Sequence, residues 1–133
     1  MNKLYSILFV LLCACAETVT RNDASIHFDE NKHDFGTISF KKEAIYTFEF
    51  PNPGKTMLLI NDVKTSCGCT VPEWAKEPIR PGQKGQIKIK YDAAFPGVFH
   101  KTAEVFFNGP DSPANLEIKG EVEYPEDIDA KKK

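Results

Sequence analysis

Downstream of Ser25 the chain is written in short runs whose apolar residues recur at every second position, and turn residues cut each run off early. Side chains of an extended strand point to alternate faces, so a period of two means one buried face and one wet one. In residues 44–50, Tyr46, Phe48 and Phe50 share a face, opposed by Thr47 and Glu49. In residues 86–91, Ile87, Ile89 and Tyr91 alternate with Lys88 and Lys90. Ala103, Val105 and Phe107 do the same within residues 98–107, as do Leu116, Ile118, Gly120 and Val122 against Glu117, Lys119, Glu121 and Glu123. Residues 57–64 are mostly apolar, which predicts a strand covered on both faces. Two shorter runs, Ile26-His27-Phe28 and residues 33–38, bring the set to about seven strands.

The breaks carry turn chemistry: Pro51-Asn52-Pro53-Gly54, Arg80-Pro81-Gly82-Gln83, Phe95-Pro96-Gly97 and Asn108-Gly109-Pro110-Asp111-Ser112-Pro113. No 3.6-residue periodicity, internal repeat or low-complexity segment competes with this pattern. The fold it predicts is all-β, a single immunoglobulin-like antiparallel β-sandwich over residues 25–124, with a barrel as the other way of closing the same strands. With 133 residues there is room for that domain and a leader. A tail over residues 125–133, acidic at Glu126, Asp127 and Asp129 and then basic, reads as disordered.

The leader is the apolar run that follows Asn2 and Lys3 and reaches Ala16. A permanent membrane helix needs about 20 apolar residues, so this run has the length of a secretion signal instead. Two cuts compete. Leu12-Cys13-Ala14-Cys15 resembles a lipobox, although Cys13 departs from the usual small or aliphatic residue. That cut gives a signal over residues 1–15, makes Cys15 the lipidated residue and leaves residues 16–24 as a polar tether. Ala14-Cys15-Ala16 also fits an ordinary signal-peptidase site, which would release a soluble secreted protein. The short run before Leu-x-Ala-Cys favours the lipoprotein, a periplasmic or outer-membrane protein anchored through acyl chains.

Charge narrows the partners. The formal net charge is −2, with no basic face or arm, which argues against nucleic acid. Oligomeric state leaves no mark on the sequence.

Either cut leaves Cys67 and Cys69 as the only sulfurs of the mature domain in cysteine form, in a compartment that permits disulfides. Three readings stay open. They form a structural disulfide across Gly68, in a tight ring that gains little from chain entropy. They are a redox dithiol, for which the spacing is suitable but the helix N-terminus of thioredoxin-like sites is lacking. Or they ligate copper or zinc as thiolates, with His27, His33 or His100 as a third ligand scattered elsewhere in the sequence. No cofactor is otherwise implied. Thr65, Ser66 and Trp74 flank the pair and make up a candidate contact loop; Trp74 reads as a core cap or an exposed aromatic. His100 finds no nucleophile at a meaningful spacing, and Asp62, Glu73, Glu77 and Asp92 read as surface carboxylates. Pro81-Gly82-Gln83-Lys84-Gly85 has no helix behind it and is a strand-entry turn. No catalytic constellation is found, so the sequence predicts a protein that is not an enzyme.

Several elements occur in one order: Asp34-Phe35-Gly36-Thr37-Ile38, then Phe48-Glu49-Phe50-Pro51-Asn52-Pro53-Gly54, then Thr65-Ser66-Cys67-Gly68-Cys69-Thr70, then Pro81-Gly82-Gln83-Lys84-Gly85-Gln86-Ile87. Together they resemble a family of Gram-negative bacterial envelope proteins of unknown function with a T-S-C-G-C-T core. The resemblance implies an immunoglobulin-like sandwich similar to the docking domains of motile-sperm, chaperone and ciliary proteins, and no assigned activity. The functional expectation is a non-enzymatic, lipid-tethered envelope module that docks an unidentified envelope protein through sheet edges or the segment from Cys67 to Trp74. The alternative is a thiol, soft-metal or redox accessory protein acting through Cys67 and Cys69.

Overall fold

The computed structural model describes residues 23–126. The expected leader, its cleavage site, Cys15 and most of the tether lie outside those residues, as does the tail beyond Glu126. The strands are β1 (Lys32–Ile38), β2 (Ala44–Pro51), β3 (Ile60–Thr65), β4 (Thr70–Trp74), β5 (Lys84–Tyr91), β6 (Gly97–Phe107) and β7 (Ala114–Val122). They form two sheets, ordered β1-β7-β6-β3 and β2-β5-β4.

The period-two runs become the two inner faces. Phe48, Phe50, Ile87 and Ile89 from one sheet meet Ala103, Val105, Leu116, Ile118 and Val122 from the other, all buried. Edge-to-face contacts of Phe28 with Phe48 and Phe50, and the stack of Tyr91 on Phe99 across the sheets, fill the space between them.

Four expectations need correcting. Residues 26–28 are not a strand: Phe28 buries its ring against Phe48 and Phe50, but among the described residues no backbone hydrogen bond joins this segment to β2. The missing seventh strand is β4, which pairs antiparallel with β5 and carries Pro72. A proline has no N–H to donate, and an edge strand is where a sheet tolerates it. The run over residues 57–64 is not covered on both faces, since Asn61 and Lys64 are exposed and the strand itself begins at Ile60. The sandwich is also not wholly antiparallel: β1 pairs parallel with β7, while the other ladders are antiparallel.

The domain also begins earlier than expected. Ala24 is 0% exposed, and the Asp23 carboxylate accepts hydrogen bonds from the Lys55 N–H and the Thr56 hydroxyl, so the last two residues of the expected tether belong to the folded body. The Lys55 N–H, followed by the Thr56 hydroxyl, holds the Asp23 carboxyl below the ordinary aspartate value.

The registers give the sandwich two distinct ends. Asp23, the β2–β3 turn and the turns before β5 and after β6 share one, tied by hydrogen bonds of the Asn52 N–H to the Gln83 carbonyl and of the Asn108 N–H to the Leu59 carbonyl. The turns after β1, β3 and β5 share the other: the Asp92 N–H donates to the Cys69 carbonyl, and the Lys41 N–H to the Ala93 carbonyl. The 11 residues of β6 run between these ends, about 35 Å at the rise of an extended strand.

Candidate functional site

Cys67 and Cys69 lie in the turn between β3 and β4, bonded to each other with their Cα atoms 5.3 Å apart. Sulfurs joined in this way leave no thiolate for a metal, and among the described residues no three His, Cys, Asp or Glu side chains gather as a metal site requires. His27 is exposed, His33 stacks on Tyr46 at 3.6 Å between centroids, and the His100 ring nitrogen lies 3.2 Å from Glu117.

The disulfide turn is held on both sides. The Thr65 hydroxyl is 3.0 Å from both the Cys67 and Thr70 carbonyl oxygens. The Ser66 N–H donates to the Thr102 carbonyl, and the Thr102 N–H returns a bond to the Ser66 hydroxyl. The Cys69 carbonyl accepts from the Asp92 N–H. Thr65 and Ser66 therefore do belong with the cysteines. Trp74 does not: β4 carries it to the other end of the molecule.

There Trp74 borders a cleft of about 450 Å³ with Ile60, Ile79, Lys84 and Lys88. Its ring is half-buried and Lys76 Nζ stands 3.3 Å from its centroid, while its Nε1 is buried without a hydrogen-bond partner among the described residues. Glu73 beside it faces outward, paired with Lys90 and, at 3.6 Å, Lys88; the Lys90 hydrogen bond is the main cause that holds its carboxyl below the ordinary value. The other carboxylates singled out in the sequence include Asp62 and Asp92, which accept backbone N–H groups of Val63 and Ala94.

Sequence reasoning missed Thr70 and Asn52. Thr70 is 3% exposed, and its hydroxyl lies 3.5 Å from Cys67 Sγ and 3.9 Å from Cys69 Sγ. Thr70 closes the T-S-C-G-C-T element, but the sequence gives no sign that its hydroxyl faces the sulfurs. Asn52 is fully buried in the turn after β2: its amide donates to the Thr56 and Ile79 carbonyls, and its side-chain oxygen accepts from the Gly54 N–H. Its place between two prolines was the available hint.

A family model described as a protein of unknown function, DUF1573, matches residues 26–122. The chain belongs to that family. In this DUF1573 domain the D-F-G element is a bulge: the Asp34 carboxylate accepts the Gly36 N–H, Gly36 takes φ +63°, and the β1–β7 register shifts between Asp34 and Thr37. No curated protein is similar enough in sequence to match.

Among solved structures, the DUF1573 domain is similar to a protein of unknown function from Porphyromonas gingivalis W83, with TM-score 0.67 and 17% identity over 75% of this chain. The match covers 47% of that protein, so the chain spans about half its length. It is also similar to PapD-like domain 7 of human CEP192, with TM-score 0.66, 9% identity and coverage of 78% of this chain and 89% of that one. A third neighbour, the VesB protease of Vibrio cholerae, gives TM-score 0.58 at 11% identity, covering 74% of this chain and 32% of the protease. At such identities the likeness is one of fold, an immunoglobulin-like, PapD-like β-sandwich.

Proposed function

We propose that the chain is a non-enzymatic envelope module, exported, held to a membrane through acyl chains on Cys15, and docked to a protein partner through the end of its sandwich that carries the disulfide turn. One observation carries the docking part. Among the described residues six large apolar side chains are exposed, and five of them, Ile45, Val71, Phe95, Val98 and Tyr124, lie toward that end; Met57 alone lies at the other. Phe95 is 77% exposed and Val98 83%. Single exposed apolar residues are ordinary, but a concentration at one pole marks a contact surface.

The polarity of the fold supports the tether. Asp23 lies at the opposite pole, so a chain held through residues before it would present the apolar end about 35 Å from where the folded body begins. The non-enzymatic reading is supported by how the polar side chains are engaged. Asp34, Glu73 and Glu117 sit in ion pairs with lysines, and His100 is tied to Glu117.

The test is cross-linking of the full chain in its native envelope, comparing a Phe95→Asp/Val98→Asp variant with Met57→Asp. Loss of a specific adduct in the first and its retention in the second is the expected result; equal retention in both would sink the docking reading. Detergent-phase partitioning of Cys15→Ser checks the anchor, with a move to the aqueous phase expected.

A further inference from the structure

The bond between Cys67 and Cys69 is not what holds its turn. The Cys67 carbonyl accepts from the Thr65 hydroxyl and, at 3.3 Å, from the Thr70 N–H. The Cys69 carbonyl is fixed to β5's exit by the Asp92 N–H at 3.1 Å, and Ser66 is tied to Thr102 of β6 by two bonds. None of these hydrogen bonds is made by a sulfur, so the backbone frame does not depend on the bridge for its partners. A covalent loop this short restricts the unfolded chain by only about 2 kcal/mol or less.

The side chain beside the bridge is better suited to its opened form. The Thr70 hydroxyl is buried, and among the described residues its hydrogen-bonding partners are the two sulfurs, at 3.5 and 3.9 Å. Buried polar groups need partners, and neutral sulfur is a weak acceptor. A thiolate accepts far more strongly, as charged acceptors do. The oxidised pair leaves this hydroxyl poorly satisfied, and reduction supplies the acceptor it lacks.

We propose that Cys67 and Cys69 form a thiol–disulfide exchange site, reduced by a dithiol donor, with the Thr70 hydroxyl as hydrogen-bond donor to the thiolate released. The site stands at the pole proposed for docking but does not depend on that reading. Cys69 packs against the core and Cys67 does not, so the donor thiolate attacks Cys67 Sγ. A bond forms between the donor sulfur and Cys67, the Cys67–Cys69 bond breaks, and its electron pair leaves as the Cys69 thiolate, which accepts from Thr70. The donor's second thiolate then attacks its own partner sulfur in the mixed disulfide and displaces Cys67 as a thiolate. Two electrons pass to the cysteine pair, the thiolates take up the two protons the donor thiols lost, and the donor leaves as a disulfide.

The mature domain is equilibrated in graded mixtures of reduced and oxidised dithiothreitol, trapped by alkylation and weighed, while Trp74 fluorescence follows the fold. Reduction with unchanged fluorescence is expected, along with a thiol whose alkylation titrates below the free-cysteine value of about 8.5. Thr70→Val should shift the equilibrium toward the disulfide about fivefold and raise that titration, and Thr70→Ser should restore both. A bridge that opens only as the domain unfolds, a wild-type thiol titrating at or above the free value, or a Thr70→Val protein that behaves as wild type would each overturn the proposal. The wild-type readings decide the matter even if Thr70→Val does not fold. Loss of exchange with intact cross-linking would leave the docking reading standing.

Discussion

Asn52 does at one position what an ordinary turn spreads over several. Its side chain satisfies two carbonyls and one N–H in a place that water does not reach. Replacing it with leucine of similar size would remove all three hydrogen bonds, each worth about 1 kcal/mol, although the Ile79 carbonyl would keep the Leu58 N–H. Asn52→Leu is expected to lower stability by about 1–3 kcal/mol in urea unfolding, with little change in m. Gly85 is constrained by space instead of hydrogen bonding. A methyl group there would meet the Phe50 ring within 2.5 Å, so Gly85→Ala should cost about 1–3 kcal/mol in the same measurement. Both residues belong to elements by which the sequence resembled its family, and the structure supplies the reason: Asn52 and Gly85 close the Asp23 end of the core.

At the scale of the element, β1 and β2 are edge strands of different sheets joined by an aromatic contact. His33 stacks on Tyr46 with the planes 11° apart and meets Phe35 edge-on, with Glu30 and Asp34 the nearby charges. Burial is the dominant cause and pushes the His33 imidazole below its ordinary value of 6.5, against the opposing pull of Asp34 and Glu30. A base with a lowered folded pKa is neutral in the fold while the unfolded chain takes up its proton first. Stability from this contact is therefore complete above pH 6.5 and falls as the pH drops through 6.5 toward the folded value. Chemical unfolding between about pH 7.5 and 5.5 should show this slope, and His33→Phe, which keeps an aromatic ring for the stack, should flatten it. The depressed carboxyls of Asp23, Asp34, Glu73 and Glu117 act lower on the scale. Their stabilisation is present above the ordinary carboxylate values and lost as the pH falls through the folded ones.

The same scale shows what a single sequence conveys. β2, β5, β6 and β7 were legible because each has a buried and a wet face, and alternation records that directly. β4 was not, since Val71-Pro72-Glu73-Trp74 is short and holds a proline that only an edge position excuses. Residues 26–28 misled for the converse reason: Ile26 and Phe28 turn inward as strand residues would, although their backbone joins no ladder. The parallel β1–β7 pairing depends on residues far apart in the chain, and no local pattern encodes it. At the candidate site the cysteine pair was legible from its spacing. The separation of Trp74 from the cysteines, and the placement of Thr70 between both sulfurs, required the fold.

For the whole molecule, the distribution of exposed apolar side chains and the position of Asp23 give the sandwich a direction. Charge at Phe95 and Val98 should change binding without changing the fold: the double aspartate variant is expected to keep the wild-type melting temperature within a few degrees, since neither side chain is buried. A drop comparable to that of Asn52→Leu would mean that these residues support the sandwich, and the docking reading would lose its main observation.

The placement of β7 has a consequence for how such a chain is made. β7 lies between β1 and β6, and β1 has no other neighbour in its sheet. A chain that emerges N-terminus first cannot complete that sheet until its last described strand has arrived. Until then β1 has only side-chain contacts to hold it, and closing so long a loop is slow. The order of the strands thus delays the final folding step toward the end of vectorial synthesis, and under the export proposed above that delay would keep the polypeptide threadable through a translocation pore.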